Sequence, residues 1–194
     1  RRDQARSLGD EIKERWGDVQ ILINNAGIAQ AVSFSDMPDD LWDETLATNL
    51  TGAYNCCKEF LPAMVQAKWG RIINIASTAA KVGYRHATAY TASKHGLLGL
   101  TRALALETAR AGVTVNAICP GYVDDKRTHE NAAAMAEKTG KSVDAILKLF
   151  AASAPQNRLI APGEVASLAL LIASEKSAGM TGQAINVDGG AVMA

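Results

Sequence analysis

Residues 71–96 decide the fold, and their sequence is RIINIASTAAKVGYRHATAYTASKHG. The segment 71–76 is short, mostly apolar and rich in β-branched isoleucine, which is typical of a strand buried on both faces. After a short polar stretch, an alanine- and leucine-rich segment predicts a helix over 89–111, with Gly112 ending it. A buried strand followed by a long helix is the repeating unit of a parallel sheet covered by helices.

The rest of the chain continues this alternation. Short apolar runs predict further strands at 21–24, 113–118 and 184–187. Apolar residues at helical spacing predict helices over 4–16, over 39–66 with a break near Asn49, and over 162–173. The segment 124–153 is too long for a turn and is locally helical, which favours a mobile lid. The pattern predicts one α/β domain over 1–194, with a doubly wound parallel sheet, helices on both faces and a substrate lid at 124–160.

The order of these elements also predicts that something is missing. The chain starts with a helix that enters a parallel strand, and four strands with long crossovers make a small sheet. We therefore expect that the first β–α units of the fold, roughly 60 residues for two units, are absent from this chain.

Composition excludes several classes of function. Lys+Arg and Asp+Glu both count 20, so the formal net charge is zero, and no basic stripe favours nucleic acid or a membrane surface as a partner. No apolar run reaches the length of a membrane-spanning helix. The odd number of cysteines, Cys56, Cys57 and Cys119, and the scattered histidines lack the spacing of a disulfide framework or a metal site. We expect a cytoplasmic protein that binds no metal.

The strongest chemical signal is the pair Tyr90 and Lys94. Residues four apart on a helix project the same way, so the two side chains lie together. A nearby ammonium favours the phenolate form of a tyrosine, and such a pair can exchange a proton with a substrate hydroxyl or carbonyl. Ser77 follows the strand at 71–76, where the carboxyl ends of parallel strands form a ligand crevice. Taken alone, a Tyr–Lys pair on a helix is usually solvated surface, and a serine after a strand is usually a cap.

Together with other short motifs, this arrangement resembles the short-chain dehydrogenase/reductase family over essentially the whole chain. The matching features, in chain order, are Asn24-Asn25-Ala26-Gly27 closing a strand, Asn49 on a helix, Ser77, Tyr90 with Lys94, Pro120-Gly121 after the next strand, and Asp188-Gly189-Gly190 near the end. Each motif is modest, but their joint order and spacing are specific. The resemblance implies a Rossmann-like fold and an oxidoreductase that uses NAD or NADP.

The resemblance implies a role for each catalytic position. Tyr90 would be the general acid/base, and Lys94 would lower the pKa of Tyr90 and hydrogen-bond the nicotinamide ribose. Ser77 would polarise the substrate oxygen. Asn49 would hold, through its backbone and side chain, a water that connects Lys94 to solvent. Hydride transfer itself is the chemistry of the cofactor.

The cofactor contacts that the resemblance implies are mostly backbone. Asn24, Ala26 and Gly27 would line the side of the adenosine ribose and brace the sheet. The main chain of Pro120, Gly121 and Val123 would meet the nicotinamide carboxamide. The glycine-rich loop of the family is absent, as is the residue after the second strand that selects NAD or NADP, so the choice of nucleotide stays open.

One loop departs from the family pattern. A threonine usually stands where this sequence has Asp125, and the carboxylate brings negative charge close to the nicotinamide site; Thr128 could substitute in part. Four cations flank the predicted crevice and could meet an anionic substrate, although a solvated rim is the alternative: Lys81, Arg85, Lys126 and Arg127.

We expect the substrate to be a small molecule, a secondary alcohol or ketone. Within the family, the stretches at 122–123 and 155–159 are most similar to 3-oxoacyl reductases and 3-hydroxyacyl or 3-hydroxybutyrate dehydrogenases. The lid offers apolar residues to cover an acyl chain, namely Met135, Ile146, Leu147, Leu149 and Phe150. The alternatives are a non-catalytic or cofactor-deficient scaffold of the same fold and, less well supported, an epimerase or dehydratase. By family analogy we expect the protein to be a homo-oligomer, a dimer or a homotetramer, joined through the helices that begin near Asn49 and Ala89 and through the C-terminal strand.

Overall fold

A computed structural model describes residues 1–193. Four parallel strands form one sheet in the order β1-β2-β3-β4, namely β1 (Ile21–Asn24), β2 (Gly70–Ile75), β3 (Val113–Pro120) and β4 (Ala184–Val187). The four predicted strands are therefore confirmed, with β2 beginning one residue earlier and β3 running two residues further than the pattern indicated. β3 is buried along its whole length, as its run of small and β-branched residues requires.

Helices cover both faces of this sheet. The chain forms α1 (Arg2–Trp16), α2 (Asp39–Leu46), α3 (Gly52–Gln66), α4 (Thr88–Thr108), α5 (Lys126–Thr139), α6 (Val143–Ala152) and α7 (Pro162–Ala173). On one face, α3 and α4 pack on the sheet around Ile72 and Val115, with Ile12 of α1 at the margin. On the other face, α7 packs through Ile172 on Ile73 and Ile118. The predicted Rossmann-like α/β architecture is confirmed.

The predicted break near Asn49 is a π-helical turn. Residues Ala47–Thr51 widen the helix between α2 and α3, and the N–H of Gly52 bonds to the carbonyl of Ala47, five residues back. A turn of this kind inserts an extra residue without ending the helix, and it is frequent at functional sites. The helical periodicity therefore slips at Asn49 although the helix continues.

Residues 124–160 form a small helical layer. α5 and α6 pack on each other around a core of Ala132, Ala136, Ile146 and Phe150, and the Phe150 ring stacks on Tyr122 with 4.3 Å between ring centres. A parallel bridge between Val123 and Ile160 closes the base of this layer. Ile146 and Phe150 are 1% and 9% exposed, so they fill this internal core and are not free to cover a substrate. That part of the lid prediction is wrong, because the apolar face of α6 packs on α5.

β1 is an edge strand with an uncovered side. Its outer edge pairs with no strand among residues 1–193, and Ile21 and Ile23 are 44% and 48% exposed on the face where α7 covers the neighbouring strands. Another β–α unit would bury this edge and this face. The absence of preceding units from the chain stays a prediction.

A buried polar chain ties β1 to the centre of the domain. The amide of Asn24 donates to the side-chain oxygen of Asn74 on β2 at 2.8 Å, and the amide of Asn74 donates to Thr101 on α4 at 2.8 Å. Asn74 and Thr101 are fully buried, so these bonds offset a desolvation penalty that would otherwise destabilise the fold.

Among the helices of residues 1–193, none has the length and apolar character that a membrane span requires.

Position 112 requires a glycine, because of both its backbone conformation and the atoms around it. Its φ is +72°, and a Cβ built on it would lie 2.2 Å from the carbonyl oxygen of Lys68. We expect Gly112→Ala to lower the free energy of unfolding by at least about 2 kcal/mol, because it adds a backbone clash to the left-handed strain. Urea unfolding measures this change.

Gly140 provides the matched control. Its φ is +69°, but nothing lies within 4 Å of its added Cβ, so Gly140→Ala carries the strain alone, about 1 kcal/mol. Equal losses in the two variants would contradict the steric account.

Candidate active site

The predicted catalytic residues come together at the carboxyl ends of β1, β2 and β3. Ser77 follows β2, Tyr90 and Lys94 lie in the first two turns of α4, and Asn49 lies in the π-helical turn. This edge of a parallel sheet is where ligands bind in open α/β folds. The long helix α4 places Tyr90 and Lys94 on one face, as their spacing predicted.

Tyr90 and Ser77 share a hydrogen bond. The Ser77 hydroxyl also accepts the backbone N–H of Ala79 at 3.1 Å, which fixes its position at the start of a short 3-10 turn. Burial raises the pKa of Tyr90 above its ordinary value, while the bond to Ser77 and the charge of Arg127 oppose that rise. Tyr90 is therefore a neutral phenol at neutral pH, ready to donate a proton.

Lys94 is buried directly beneath this pair. Only 3% of the residue is exposed, its Nζ donates to the carbonyl of Ile75 at 2.8 Å, and Nζ lies 5.7 Å from the centre of the Tyr90 ring. Burial lowers the pKa of Lys94 to about 8, and the charge of Arg127 acts in the same direction. A buried cation with a displaced pKa in a crevice is typical of a functional site.

Asn49 clamps the loop that follows β1. Its Oδ1 accepts the N–H of Ile28 at 2.8 Å, and its Nδ2 donates to the carbonyl of Ile28 at 2.9 Å and to the Ser93 hydroxyl at 3.0 Å. Both hydrogens of the side-chain amide are thus used within the protein. The predicted contact of Asn49, through its backbone and side chain, with a water stays a prediction.

Gly27 approaches the catalytic side chains closely. A Cβ on this residue would lie 3.3 Å from Oδ1 of Asn49 and 3.4 Å from Nζ of Lys94. Glycine at this position therefore lets the backbone after β1 lie against Asn49 and Lys94. Ala26 is exposed beside it, and Asn24 acts as the brace between strands described above.

The segment that follows β3 is held in place by β4 and by Ile160. Pro120 ends β3, the N–H of Gly121 donates to the carbonyl of Val187 at 3.1 Å, and Val123 forms the bridge to Ile160. The buried carboxylate of Asp188 accepts two backbone N–H groups, from Gly190 at 3.0 Å and Val192 at 2.9 Å. This main chain is therefore rigid where the carboxamide contact was predicted.

Asp125 has a structural role that accounts for a carboxylate at this position. It caps α5 by accepting the N–H of Thr128 at 2.8 Å. Thr128 itself is buried in the first turn of the helix. The negative charge of Asp125 is balanced by Arg127, whose Nη2 lies 3.7 Å from Oδ2.

Two residues of the site were missed by the sequence analysis. The Tyr84 hydroxyl lies 2.9 Å from the hydroxyl of Thr78, and its ring is close enough to influence the pKa of Tyr90. Ser93, inside the Tyr90–Lys94 motif, bonds to Asn49. The only feature of the sequence that could have pointed to Ser93 is its hydroxyl, on the turn of α4 that faces Asn49.

No group of three or more metal-ligating side chains occurs among residues 1–193.

Comparisons with known proteins agree with this geometry. A family model described as enoyl-(acyl carrier protein) reductase matches residues 1–192. The D-beta-hydroxybutyrate dehydrogenase of Cupriavidus necator is 42% identical over 176 residues, which cover 90% of this chain and 68% of that protein. The putative ketoacyl reductase of Streptomyces coelicolor is 40% identical over 189 residues, which cover 96% of this chain and 72% of that protein.

Solved structures show the same fold. Sorbitol-6-phosphate 2-dehydrogenase from Erwinia amylovora superposes with a TM-score of 0.95 at 33% identity, covering 100% of this chain and 77% of the other. A variant of actinorhodin polyketide ketoreductase with NADPH superposes with a TM-score of 0.94 at 38% identity, covering 98% and 74%. Fold and relatives define an oxidoreductase of the Rossmann-like α/β class. The chain belongs to the short-chain dehydrogenase/reductase family, as its motifs predicted.

The depressed pKa of Lys94 has a consequence for stability. The folded chain releases this proton near pH 8 and the unfolded chain near pH 10.5, so the cost of burying the ammonium is present below pH 8 and is relieved as pH rises toward 10.5. We expect the stability difference between Lys94→Met and the unaltered chain to shift in favour of the unaltered chain by up to about 3 kcal/mol over this range.

Urea unfolding of both proteins at pH 7, 8, 9 and 10 measures this difference, and the comparison cancels the titration of groups other than Lys94. A difference that stays constant across these pH values would contradict the assignment of the low pKa to Lys94.

Proposed function

We propose that this chain carries the catalytic part of an NAD- or NADP-dependent oxidoreductase that interconverts a secondary alcohol and a ketone. The observation that supports this most directly is the group formed by Tyr90, Ser77 and Lys94 at the carboxyl end of β2. A neutral phenol bonded to a hydroxyl, above a buried ammonium, suits the exchange of a proton with a substrate oxygen. When bound, the nicotinamide supplies the hydride.

In the reductive direction, the two hydroxyls act on the carbonyl oxygen. Ser77 donates a hydrogen bond to that oxygen as negative charge develops on it, and Tyr90 transfers its proton to the same oxygen. The charge of Lys94 then stabilises the phenolate of Tyr90 until a proton returns from solvent. Oxidation of the alcohol is the reverse, with Tyr90 as the base.

The residues present fit one half of the cofactor. Lys94 and the main chain from Pro120 to Val123 would hold the nicotinamide and its ribose, and Gly27 lies beside Lys94. The pyrophosphate requires a glycine-rich turn and a helix N-terminus, which the chain does not supply in front of β1. The proposal therefore includes preceding β–α units that complete the crevice, and those units would choose between NAD and NADP.

The substrate that we favour is a 3-hydroxyacyl or 3-oxoacyl compound. Relatives named as hydroxybutyrate dehydrogenase and ketoacyl reductases support this choice. Met135 and Leu149 remain 37% and 52% exposed on the lid, so apolar surface is available to an acyl chain. Turnover of sugar or steroid alcohols without turnover of any hydroxyacyl compound would contradict the acyl assignment.

The rival functions are less well supported. Asn49, Ser77, Tyr90 and Lys94 are all present and adjacent, whereas a scaffold has no need to keep a buried lysine. The relatives named as dehydrogenase and ketoacyl reductase favour an oxidoreductase over an epimerase or dehydratase.

Two further parts of the proposal concern the oligomeric state of the enzyme and its cellular compartment. We propose a homo-oligomer, a dimer or tetramer, formed through the outer faces of α3 and α4, where Leu106 is 84% exposed. Leu97 is 1% exposed and belongs to the core, so it is not part of that interface. The three free cysteines favour a reducing compartment, and we propose the cytoplasm.

Tyr90→Phe tests the catalytic assignment. The assay uses an extended chain, in which the first β–α units of the Cupriavidus necator dehydrogenase precede residue 1. Loss of the phenolic proton is expected to lower kcat by about a hundred- to ten-thousandfold, because general acid catalysis contributes that much. The far-UV spectrum should not change.

Tyr54→Phe is the control, since Tyr54 lies on α3 beside Arg2 and away from the crevice. A Tyr90→Phe enzyme with more than a tenth of the original kcat would contradict the role of Tyr90.

A further inference from the structure

Arg127 reaches across the mouth of the crevice. It lies in the first turn of α5, and its Nη1 donates to the carbonyl of Gly27 at 3.4 Å, between residues 100 positions apart in the chain. Its other contact is with Asp125, at 3.7 Å. Both contacts are long, and a guanidinium has five N–H donors in a planar fork. The side chain is 46% exposed, and among the described residues one of these donors, on Nη1, makes a hydrogen bond.

The position of Arg127 relative to the catalytic pair is close. Its charge acts on the pKa of both Tyr90 and Lys94. The Gly27 backbone that it contacts lies against Asn49 and Lys94, as the close approach of a Cβ on Gly27 shows. The guanidinium therefore lies on the lid side of the crevice, near the reacting hydroxyls.

The other cations predicted to flank the crevice are arranged differently. The ammonium of Lys81 donates to the carbonyl of Ala184 at 2.8 Å. Lys126 is 90% exposed and lies 3.5 Å from Glu130 on the outer side of α5. Arg85 is exposed. Arg127 thus differs from the solvated Lys126, because its guanidinium contacts the loop after β1.

We propose that Arg127 is a specificity-determining residue that binds an oxyanion of the ligand in the crevice. The proposal rests on the proposed function, since it needs a ligand in this crevice. A guanidinium fork binds carboxylate or phosphate through two parallel hydrogen bonds of about 2.7–2.9 Å, shorter than either contact that Arg127 makes now. Asp125 does not compete fully, because its Oδ1 already accepts the N–H of Thr128.

Two sources can supply this oxyanion, and they share one chemistry. One is the carboxylate of a hydroxy or keto acid substrate, and the other is the pyrophosphate of the dinucleotide. NMR titration of the 194-residue chain with 3-hydroxybutyrate and, separately, with inorganic pyrophosphate distinguishes them. The amide signals of Gly27 and of the first turn of α5 report binding near Arg127, and no turnover is needed.

We expect Arg127→Gln to weaken binding of one probe by about tenfold or more, since a charge-assisted hydrogen bond is lost. Weakening of 3-hydroxybutyrate alone assigns Arg127 to the substrate, and its methyl ester should then bind both proteins equally weakly. Weakening of pyrophosphate alone assigns Arg127 to the cofactor. Lys126→Gln, which removes the neighbouring charge, should change either affinity by less than about twofold.

Three results would overturn the proposal. They are equal affinities of Arg127→Gln and the unaltered chain for both probes, an equal loss in Lys126→Gln, and binding of neither probe to the unaltered chain. The signals of residues outside the crevice show whether Arg127→Gln keeps its fold. Failure of the proposed function is seen separately, as an extended chain that binds these anions and has no oxidoreductase turnover.

Discussion

The side chain of Asn49 joins three parts of the site that are distant in sequence. Its three hydrogen bonds connect the π-helical turn to the loop after β1 and to α4, next to Tyr90 and Lys94. Asn49 is 1% exposed, and losing this amide would leave the partly buried N–H and carbonyl of Ile28 without these partners, at a cost of up to about 1–3 kcal/mol. The position of the loop after β1 relative to α4 depends on this clamp.

The proposed catalytic group is held at a cost to stability. Burial disfavours the charge of Lys94, and in the described chain its ammonium donates a hydrogen bond to the carbonyl of Ile75. The same burial keeps Tyr90 protonated. It also strengthens the influence of nearby charges on the pKa of Tyr90, since interactions between charges are stronger away from water. The site lowers the stability of the fold, and other parts of the sheet have to offset this cost. One of them is the chain of hydrogen bonds from Asn24 through Asn74 to Thr101.

Much of the fold and part of the site followed from the sequence, for identifiable reasons. Buried parallel strands are continuous apolar runs, and residues four apart share a helix face, so β3 and the Tyr90–Lys94 pair were predictable. The packing of Phe150 on Tyr122 was not, because an apolar helix face does not reveal which partner covers it. Arg127 was grouped with other cations of the rim, because a sequence does not give the direction of a side chain across a loop.

Transfer of deuterium from cofactor to substrate tests the central claim most directly. The extended chain would be supplied with a 3-oxoacyl thioester and either NADH or NADPH deuterated at the transferable position, and the product examined by NMR. The account predicts deuterium on the carbinol carbon with one of the two nucleotides. No deuterium in any secondary alcohol, across acyl, sugar and steroid ketones and with both nucleotides bound, would mean that the chain keeps the catalytic residues without the activity.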